Sequence, residues 1–452
     1  MDGLRALPEN IPNHELVEKH HGQPLSSIPD PYGTATSYSG NMNNRLKEFL
    51  SNFGFDFEFA SSTELYRAGV FNEGLSLIMK HHKEIIRIFT ATISEDKRET
   101  WSPFFPICQN CGKITTTKVT EYDIQNNEIT YTCSGTADPR IKPCGHQGKT
   151  SILNGNTKVG WKIDWALRWY TLGIDYEMYG KDLIDSCVIS EKVVKLMGGK
   201  PPVTYKYELF LDEDGHKISK KLGNGVSIDE WLQYAPTDAL LYFIYSHPNQ
   251  PKKMALSLIP KAVDEYLKAA SSYDGNLDSP IAIIENACGH QKAYESVPQN
   301  LEFSLITNLI KALNVTDPLV ILDYLTRYNP NLGNARYAGF VKALILKAVI
   351  YNQEVETPKK ELEIDHAFDA GLGVLINRLI TMKEPGTATA ESIQTLCFEI
   401  GKESGFELGK WFKHLYQVLL GADSGPRLGA FIYLYGIDAT INKIEAYLQD
   451  KK

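Results

Sequence analysis

The stretch Asp212-Glu213-Asp214-Gly215-His216-Lys217-Ile218-Ser219-Lys220-Lys221-Leu222-Gly223-Asn224-Gly225 gathers side chains suited to chemistry on phosphates. Three lysines and a serine sit on a Gly/Asn-rich segment. Ammonium groups on such a segment form an anion trap that closes over a polyphosphate and follows its charge to a leaving group. Glycines let backbone N–H groups approach the phosphate oxygens. The competing reading is a solvated basic loop after a hairpin. On residue types alone that reading is the favoured one; an aromatic and acidic strand, Tyr205 to Leu211, runs in, and a helix starting near Ile228-Asp229-Glu230-Trp231 runs out.

Cysteines make the second constellation. Cys108-x-x-Cys111-Gly112-Lys113 places two thiolates on one tight turn, and Cys133 and Cys144 follow across a hairpin. This is the geometry of a zinc ribbon, with Cys108, Cys111, Cys133 and Cys144 as ligands and His146 able to replace Cys144. Four protein ligands leave no open position, so the metal's role is structural. The alternative is a set of free thiols in a β-rich insertion. Cys288-Gly289-His290 repeats the local string without partners and reads as the end of a helix.

These groups need a scaffold. Trp161, Trp165 and Trp169 lie at helical spacing, with Asp164 and Arg168 between them. Ile174 to Tyr179 alternates as a strand and ends in Gly180-Lys181-Asp182. A glycine at the C-terminal end of a strand, just before a helix, is where open α/β sheets bind nucleotides. Upstream, residues 43–53 read as an amphipathic helix and Phe55-Asp56-Phe57-Glu58-Phe59 as a strand. Ser61 or Ser62 caps the next helix, and one long helix spans about Glu73 to Thr92. His20-His21-Gly22-Gln23 is not a nucleotide-binding His-x-Gly-His signature, because no buried strand precedes it and Pro24 follows. Beyond Trp231 the pattern is helical, including Pro251 to Met254, Asp264 to Leu267, Glu361 to Met382 and Trp411 to Leu420.

The 452 residues suffice for two or three domains. With 43% hydrophobic and 23% charged residues, the composition is that of an ordinary globular protein. A net charge of −8 argues against non-specific nucleic-acid binding, although lysines concentrate between 192 and 221. Seven cysteines are too few, and odd in number, for a disulfide framework. There is no run of about 18 apolar residues and no apolar leader after Met1, so the expectation is a cytoplasmic protein without a membrane span.

Taken in order, Trp161-Lys162-x-Asp164-Trp165-x-x-Arg168-Trp169, Tyr176-Glu177-x-x-Gly180-Lys181-Asp182, Tyr207-Glu208-Leu209-Phe210 and Lys217-Ile218-Ser219-Lys220-Lys221 resemble the class I lysyl-tRNA synthetases. The last string is similar to the Lys-Met-Ser-Lys-Ser loop of class I aminoacyl-tRNA synthetases, with Lys221 in place of the final serine. The resemblance covers nearly the whole chain and implies ATP-dependent attachment of L-lysine to tRNA(Lys) through lysyl-adenylate, with Mg2+ accompanying ATP. It implies catalytic roles for Lys217, Ser219 and Lys220, with Lys217 and Lys220 covering the phosphates. It assigns Gly180 and Asp182 to ATP, and Trp161 and Tyr207 to the lysine pocket. Leu183 stands where many relatives carry a histidine.

The expected architecture is α/β, then all-α. A Rossmann-like domain at 1–100 and 159–212 lacks its first unit and is interrupted by a zinc-ribbon insertion at 101–158. The lysine loop and connecting helices follow at 213–255, and a helical anticodon-binding bundle at 256–452. Rival readings are a class I synthetase for another amino acid such as glutamate, a non-catalytic tRNA-binding paralogue, and a zinc-ribbon nucleic-acid module.

In the family, the string resembling Met1-Asp2-Gly3-Leu4-Arg5 follows a first strand and a His-x-Gly-type motif that completes the ATP site. An open parallel edge is expected where that strand would pair. The expected outcome is that the 452-residue chain alone does not form the adenylate; lysine-dependent pyrophosphate exchange by this chain would overturn it.

Overall fold

A computed structural model describes residues 1–5, 11–90, 101–135, 138–218, 225–289, 293–355, 364–383 and 388–449. The chain divides into two compact units, Met1–Leu209 and Phe210–Lys452.

The first unit mixes helices with short sheets. Strands β1 (Phe104–Pro106) and β5 (Thr157–Val159) pair antiparallel. Strands β2 (Thr117–Asp123), β3 (Glu128–Cys133) and β4 (Gln147–Ser151) form an antiparallel meander. Strands β6 (Tyr176–Gly180) and β7 (Val203–Tyr207) pair in parallel, in register from Tyr176 with Val203 to Gly180 with Tyr207. Helix Ile184–Leu196 makes the crossover between them. Tyr176, Met178 and Val203 are exposed on this pair.

Helix Trp161–Leu172 is the centre of the unit. It starts after Gly160 and stops at Gly173, which takes the left-handed conformation that ends helices. Ile163, Trp165, Leu167 and Trp169 are buried in one cluster with Leu75, Ile78, Ile129, Val193 and Val194. Asp164, on the same helix, is 2% exposed. A buried carboxylate must be paired and hydrogen-bonded to be tolerated. Tyr66 donates to Asp164 Oδ1 at 2.6 Å, and Arg168 donates to Oδ2 at 3.0 and 2.6 Å. Burial, and then the Asp164 charge, push the Tyr66 phenol well above its ordinary range, so it stays a donor.

Several expectations are corrected. Phe55, Phe57 and Phe59 are half-buried and Asp56 and Glu58 exposed, as alternation demands. The segment is nevertheless not a strand, because no described backbone pairs with it; alternation reports sidedness, and a strand also needs a ladder partner. The long helix from Glu73 is two helices, Asn72–Lys80 and His82–Thr90. The break falls at His81, where the His82 ring bonds the Met79 carbonyl at 2.7 Å. Residues 91 and 92 lie outside the described residues. Ser61, rather than Ser62, caps helix Ser62–Arg67 through the Glu64 N–H. The strand expected over Tyr205–Leu211 divides into β7 and β8 (Phe210–Leu211), where one unit ends and the next begins.

The second unit is mostly helical. Helix Ile228–Tyr234 opens on a capping box between Ser227 and Glu230. Helices Thr237–Tyr245, Ile259–Ser271, Pro280–Cys288, Phe303–Leu313, Pro318–Tyr328 and Ala335–Glu354 follow. Asp369–Thr381, Ala390–Glu403, Leu408–Leu420, Leu428–Tyr435 and Ile437–Gln449 complete it. Glu361 to Met382 therefore contributes a helix only from Asp369, and residues 361–363 lie outside the description. Lys252–Lys253 is not helical but strand β9, parallel to β8. The Lys252 ammonium donates to the carbonyls of Phe243 and Ile244, each at 2.6 Å, at the end of helix Thr237–Tyr245. That burial lowers its pKa to about 8. Cys288 ends its helix and Gly289 is left-handed, as the sequence suggests. No single helix among the described residues is long and apolar enough to cross a membrane.

Tyr66→Phe, which removes one buried bond, should cost about 1–2 kcal/mol. Asp164→Ala, which strands both partners, should cost about 3–5 kcal/mol. Urea unfolding of the two variants checks the ranking; equal and small losses would show that the network does not hold the unit.

Candidate active site and metal centre

Gly180 is the last residue of β6 and is buried. A Cβ built there would stand 2.8 Å from Asp182 Oδ1 and 3.6 Å from Tyr207 Cε2. Glycine thus lets the Asp182 carboxylate and the Tyr207 ring approach one backbone point. Asp182 lies on the short 3-10 turn Lys181–Leu183, and Tyr207 faces Gly180 across the parallel register. The structure therefore brings Gly180, Asp182 and Tyr207 together at the C-terminal ends of β6 and β7. Lys181 Nζ stands 2.5 Å from Glu208 Oε2 and ties the turn after β6 to the end of β7. This ion pair, one residue from each assigned position, is not announced by any spacing in the sequence. The Lys181 ammonium holds the Glu208 carboxyl below the usual carboxylate range.

Trp161 belongs to a different wall. It is 45% exposed, and its ring stacks on Trp165 at 5.5 Å between centroids. Trp165 in turn meets Tyr179 edge-on at 5.8 Å, one residue before Gly180. Trp161 lines a cleft of about 970 Å³ within the first unit, together with Asp2, Arg5, Lys158, Lys162 and Asp185. Asp2 and Lys158 form an ion pair in its lining. Burial alone would raise the Asp2 carboxyl, but Lys158 pulls it below its ordinary value. Tyr207 is not among the residues lining this cleft.

The lysine loop lies in the second unit. Its first part is a hairpin: Leu211 bridges Lys217, Asp212 N donates to His216 O, and Gly215 turns the chain with φ +89. Lys217 is exposed at the end of that hairpin. Glu213 is anchored by Ser257 at 2.6 Å and by Lys253 at 2.9 Å through its carbonyl. Ser219 and Lys220 lie outside the described residues.

The four cysteines converge. Cys108 and Cys111 sit on a knuckle closed by Gly112 N to Cys108 O at 2.8 Å. Cys133 ends β3, and Gly145 N returns to the Cys133 carbonyl at 3.0 Å. All four sulfurs lie within 4.8 Å of one another, with Cys108–Cys144 at 3.6 Å and Cys111–Cys133 at 3.8 Å. Sulfurs 2.3 Å from a common tetrahedral centre stand about 3.8 Å apart, so the set fits one four-coordinate ion. These separations are far longer than a disulfide bond, and all seven cysteines are free. Cys144 supplies the fourth sulfur of this group, and His146 Nε2 is buried without a hydrogen-bond partner among the described residues. Thr116 Oγ1 lies 3.1 Å from Cys133 Sγ, and Cys144 N donates to the same sulfur at 3.4 Å. Such outer hydrogen bonds orient metal ligands.

A family model described as tRNA synthetases class I (K) matches residues 1–295. The chain is similar to lysine–tRNA ligases of Rickettsia. It is 38% identical over 457 residues to that of Rickettsia bellii (strain OSU 85-389), covering 99% of this chain and 84% of the relative. Identity to the Rickettsia felis protein is 36% over 456 residues, covering 99% and 84%. For the Rickettsia prowazekii protein it is 36% over 455 residues, covering 99% and 83%.

Lys181→Met should let the Glu208 carboxyl rise toward the ordinary carboxylate range, read by carbon-detected NMR titration of the side chain. An unchanged midpoint would show that the pair is not formed in solution.

Proposed function

This chain belongs to the class I tRNA synthetases (K), and we propose that it joins L-lysine to tRNA(Lys) at the expense of ATP, through lysyl-adenylate. The observation that carries this reading is likeness to lysine–tRNA ligases along nearly the whole chain, in a sequence that also holds the Gly180 turn, the tryptophan helix and the lysine loop. In the first step a lysine carboxylate oxygen attacks the α-phosphorus of ATP, a P–O bond forms, and pyrophosphate leaves. Such a step asks the protein for alignment and for compensation of charge on the leaving group.

Gly180 and Asp182 are the ATP-binding pair in this reading. The absent Cβ at Gly180 lets the Asp182 carboxylate stand at the strand end, where it supplies an acceptor for ribose or amine donors. Lys217 and Lys220 stabilise the departing pyrophosphate, with Ser219 between them. Trp161 contacts the amino acid, and its cleft is the amino-acid site in this reading; Tyr207, assigned to the same pocket from the sequence, stands beside Gly180 and outside the lining of that cleft. Mg2+ comes with ATP.

The cysteine cluster suits a structural Zn2+, because four thiolates close every tetrahedral position. The Rossmann-like domain, its ribbon insertion and the helical tRNA-reading domain follow the limits given above. Within the helical unit, a cleft of about 1330 Å³ is lined by Lys261, Lys268, Arg427, Phe398 and Phe412. The two phenylalanine rings lie 4.8 Å apart. Phe398 is exposed and Phe412 half-buried, and Asp264, Glu265 and Glu302 share the lining with the cations; cations beside aromatic rings suit a single strand of RNA, and we place tRNA there.

The test is aminoacylation of tRNA by the protein as its source cell makes it, with lysine and glutamate compared. Charging with lysine alone is expected; charging with glutamate, or with neither, overturns the reading. In that protein Lys217→Ala should lower lysine-dependent pyrophosphate exchange by about 10²–10³-fold while leaving tRNA binding nearly intact. Equal loss of both would make the loop a structural or tRNA-binding element.

A further inference from the structure

The cleft around Trp161 has a wall that the tryptophan helix does not supply. Ile114 and Thr115, three and four residues after Cys111, line it, as do Asp138 and Ile141 from the loop between Cys133 and Cys144. Asp2, Gly3 and Arg5 line it too. The same cysteine loops hold the N-terminal segment in place. Gln23 Nε2 donates to the Cys111 carbonyl at 2.9 Å, and its Oε1 lies 2.8 Å from His20 Nδ1. Gly22 O accepts from Ile114 N at 2.9 Å and from Thr115 N at 3.3 Å. Residues 2–4 then pair with residues 22–25: Leu4 N to Gln23 O at 2.9 Å, Gly22 N to Leu4 O at 3.0 Å, and Leu25 N to Asp2 O at 2.9 Å.

The packing leaves no slack. A Cβ at Gly3 would stand 2.5 Å from Thr115 Cγ2 and 2.6 Å from Ile114 Cγ2. At Gly22 it would stand 2.7 Å from Ile141 Cγ2 and 2.8 Å from Thr115 Oγ1. Both contacting loops begin or end on a cysteine of the cluster. Each loop buries one isoleucine, Ile114 and Ile141, and the small core beside the cluster comprises Cys108, Tyr131, Cys133 and the half-buried Cys111. Crosslinking at the sulfurs would fix where those loops, and with them the two isoleucines, are held.

We propose that the metal-loaded cysteine cluster is the positioning element of the Trp161 cleft, holding Thr115, Ile141 and, through Gln23, the Asp2–Arg5 segment as its wall. The metal does not touch the ligand. It fixes two loops, the loops fix residues 2–5 and 22–25, and these close the cleft opposite Trp161. The proposal rests on the reading of this cleft as the amino-acid site only for the choice of ligand in its test.

The experiment compares metal-loaded protein with protein stripped by a chelator. It reads metal content, amide hydrogen exchange at residues 2–5 and 22–25, and lysine binding by calorimetry. On stripping, amide protection at Leu4 and Leu25 should be lost and lysine should bind about tenfold more weakly, with helical circular dichroism retained and both restored by Zn2+. Unchanged protection and affinity would overturn the proposal. Should stripping unfold the unit, Gln23→Ala decides: it keeps all four thiols and full metal content, and should loosen the same amides and weaken lysine binding. Full protection and unchanged affinity in that variant would equally overturn the proposal. Absence of lysine binding by the untreated protein would refute the amino-acid reading instead, and the exchange comparison would still decide the role of the cluster.

Discussion

The buried carboxylate of Asp164 ties distant parts of the first unit together. It carries charge into the core of helix Trp161–Leu172, and its two oxygens are satisfied by Tyr66, 98 residues away, and by Arg168 one turn on. Those bonds fix where helix Ser62–Arg67 lies against the tryptophan helix. Tyr66 OH also receives Val159 N at 3.5 Å, which places β5 and hence the return of the cysteine insertion. With the helix pinned, Trp165 and Trp169 fill the core, and Trp161, at the solvent end of the same stack, faces the cleft.

From that helix the site is built by crossover geometry. Ser190 Oγ donates to the Lys162 carbonyl at 2.8 Å and holds helix Ile184–Leu196 to it. The helix in turn sets β6 beside β7, so that Gly180 and Tyr207 end level and the Lys181–Glu208 pair closes the turn between them. Trp169 Nε1 donates to Glu177 at 2.8 Å and locks β6 to the tryptophan helix. Each polar contact lies within a few residues of a position with a proposed ligand, so alignment and stability depend on the same bonds.

Local signals in the sequence carried a good part of this arrangement. The helix start near Ile228, the stop at Gly289, the tryptophan stack and the strand ending at Gly180 all follow from spacings within four residues, which depend on local backbone geometry alone. The misreadings share a cause. Phe55 to Phe59 alternates without a partner strand among the described residues, and Lys252 joins β9 because that segment pairs in parallel with Phe210–Leu211 of β8. The single helix expected from Glu73 is broken at His81, where a side chain bonds the backbone. In each case a contact absent from the local pattern decided the conformation.

The sequence by itself determined which groups are on offer: three lysines on one loop, four thiols in one insertion, and a glycine where a strand meets a helix. Residue type and short-range spacing suffice for that, because each motif is built within one turn or one hairpin. Only the tertiary structure decided that the sulfur of Cys144 meets those of Cys108, Cys111 and Cys133, that Tyr66 answers Asp164, and that residues of the cysteine loops line the same cleft as Trp161. Those choices join residues tens of positions apart. They are made by packing, by the need to satisfy buried polar groups and by the closing of loops, none of which leaves a period or a spacing in the chain.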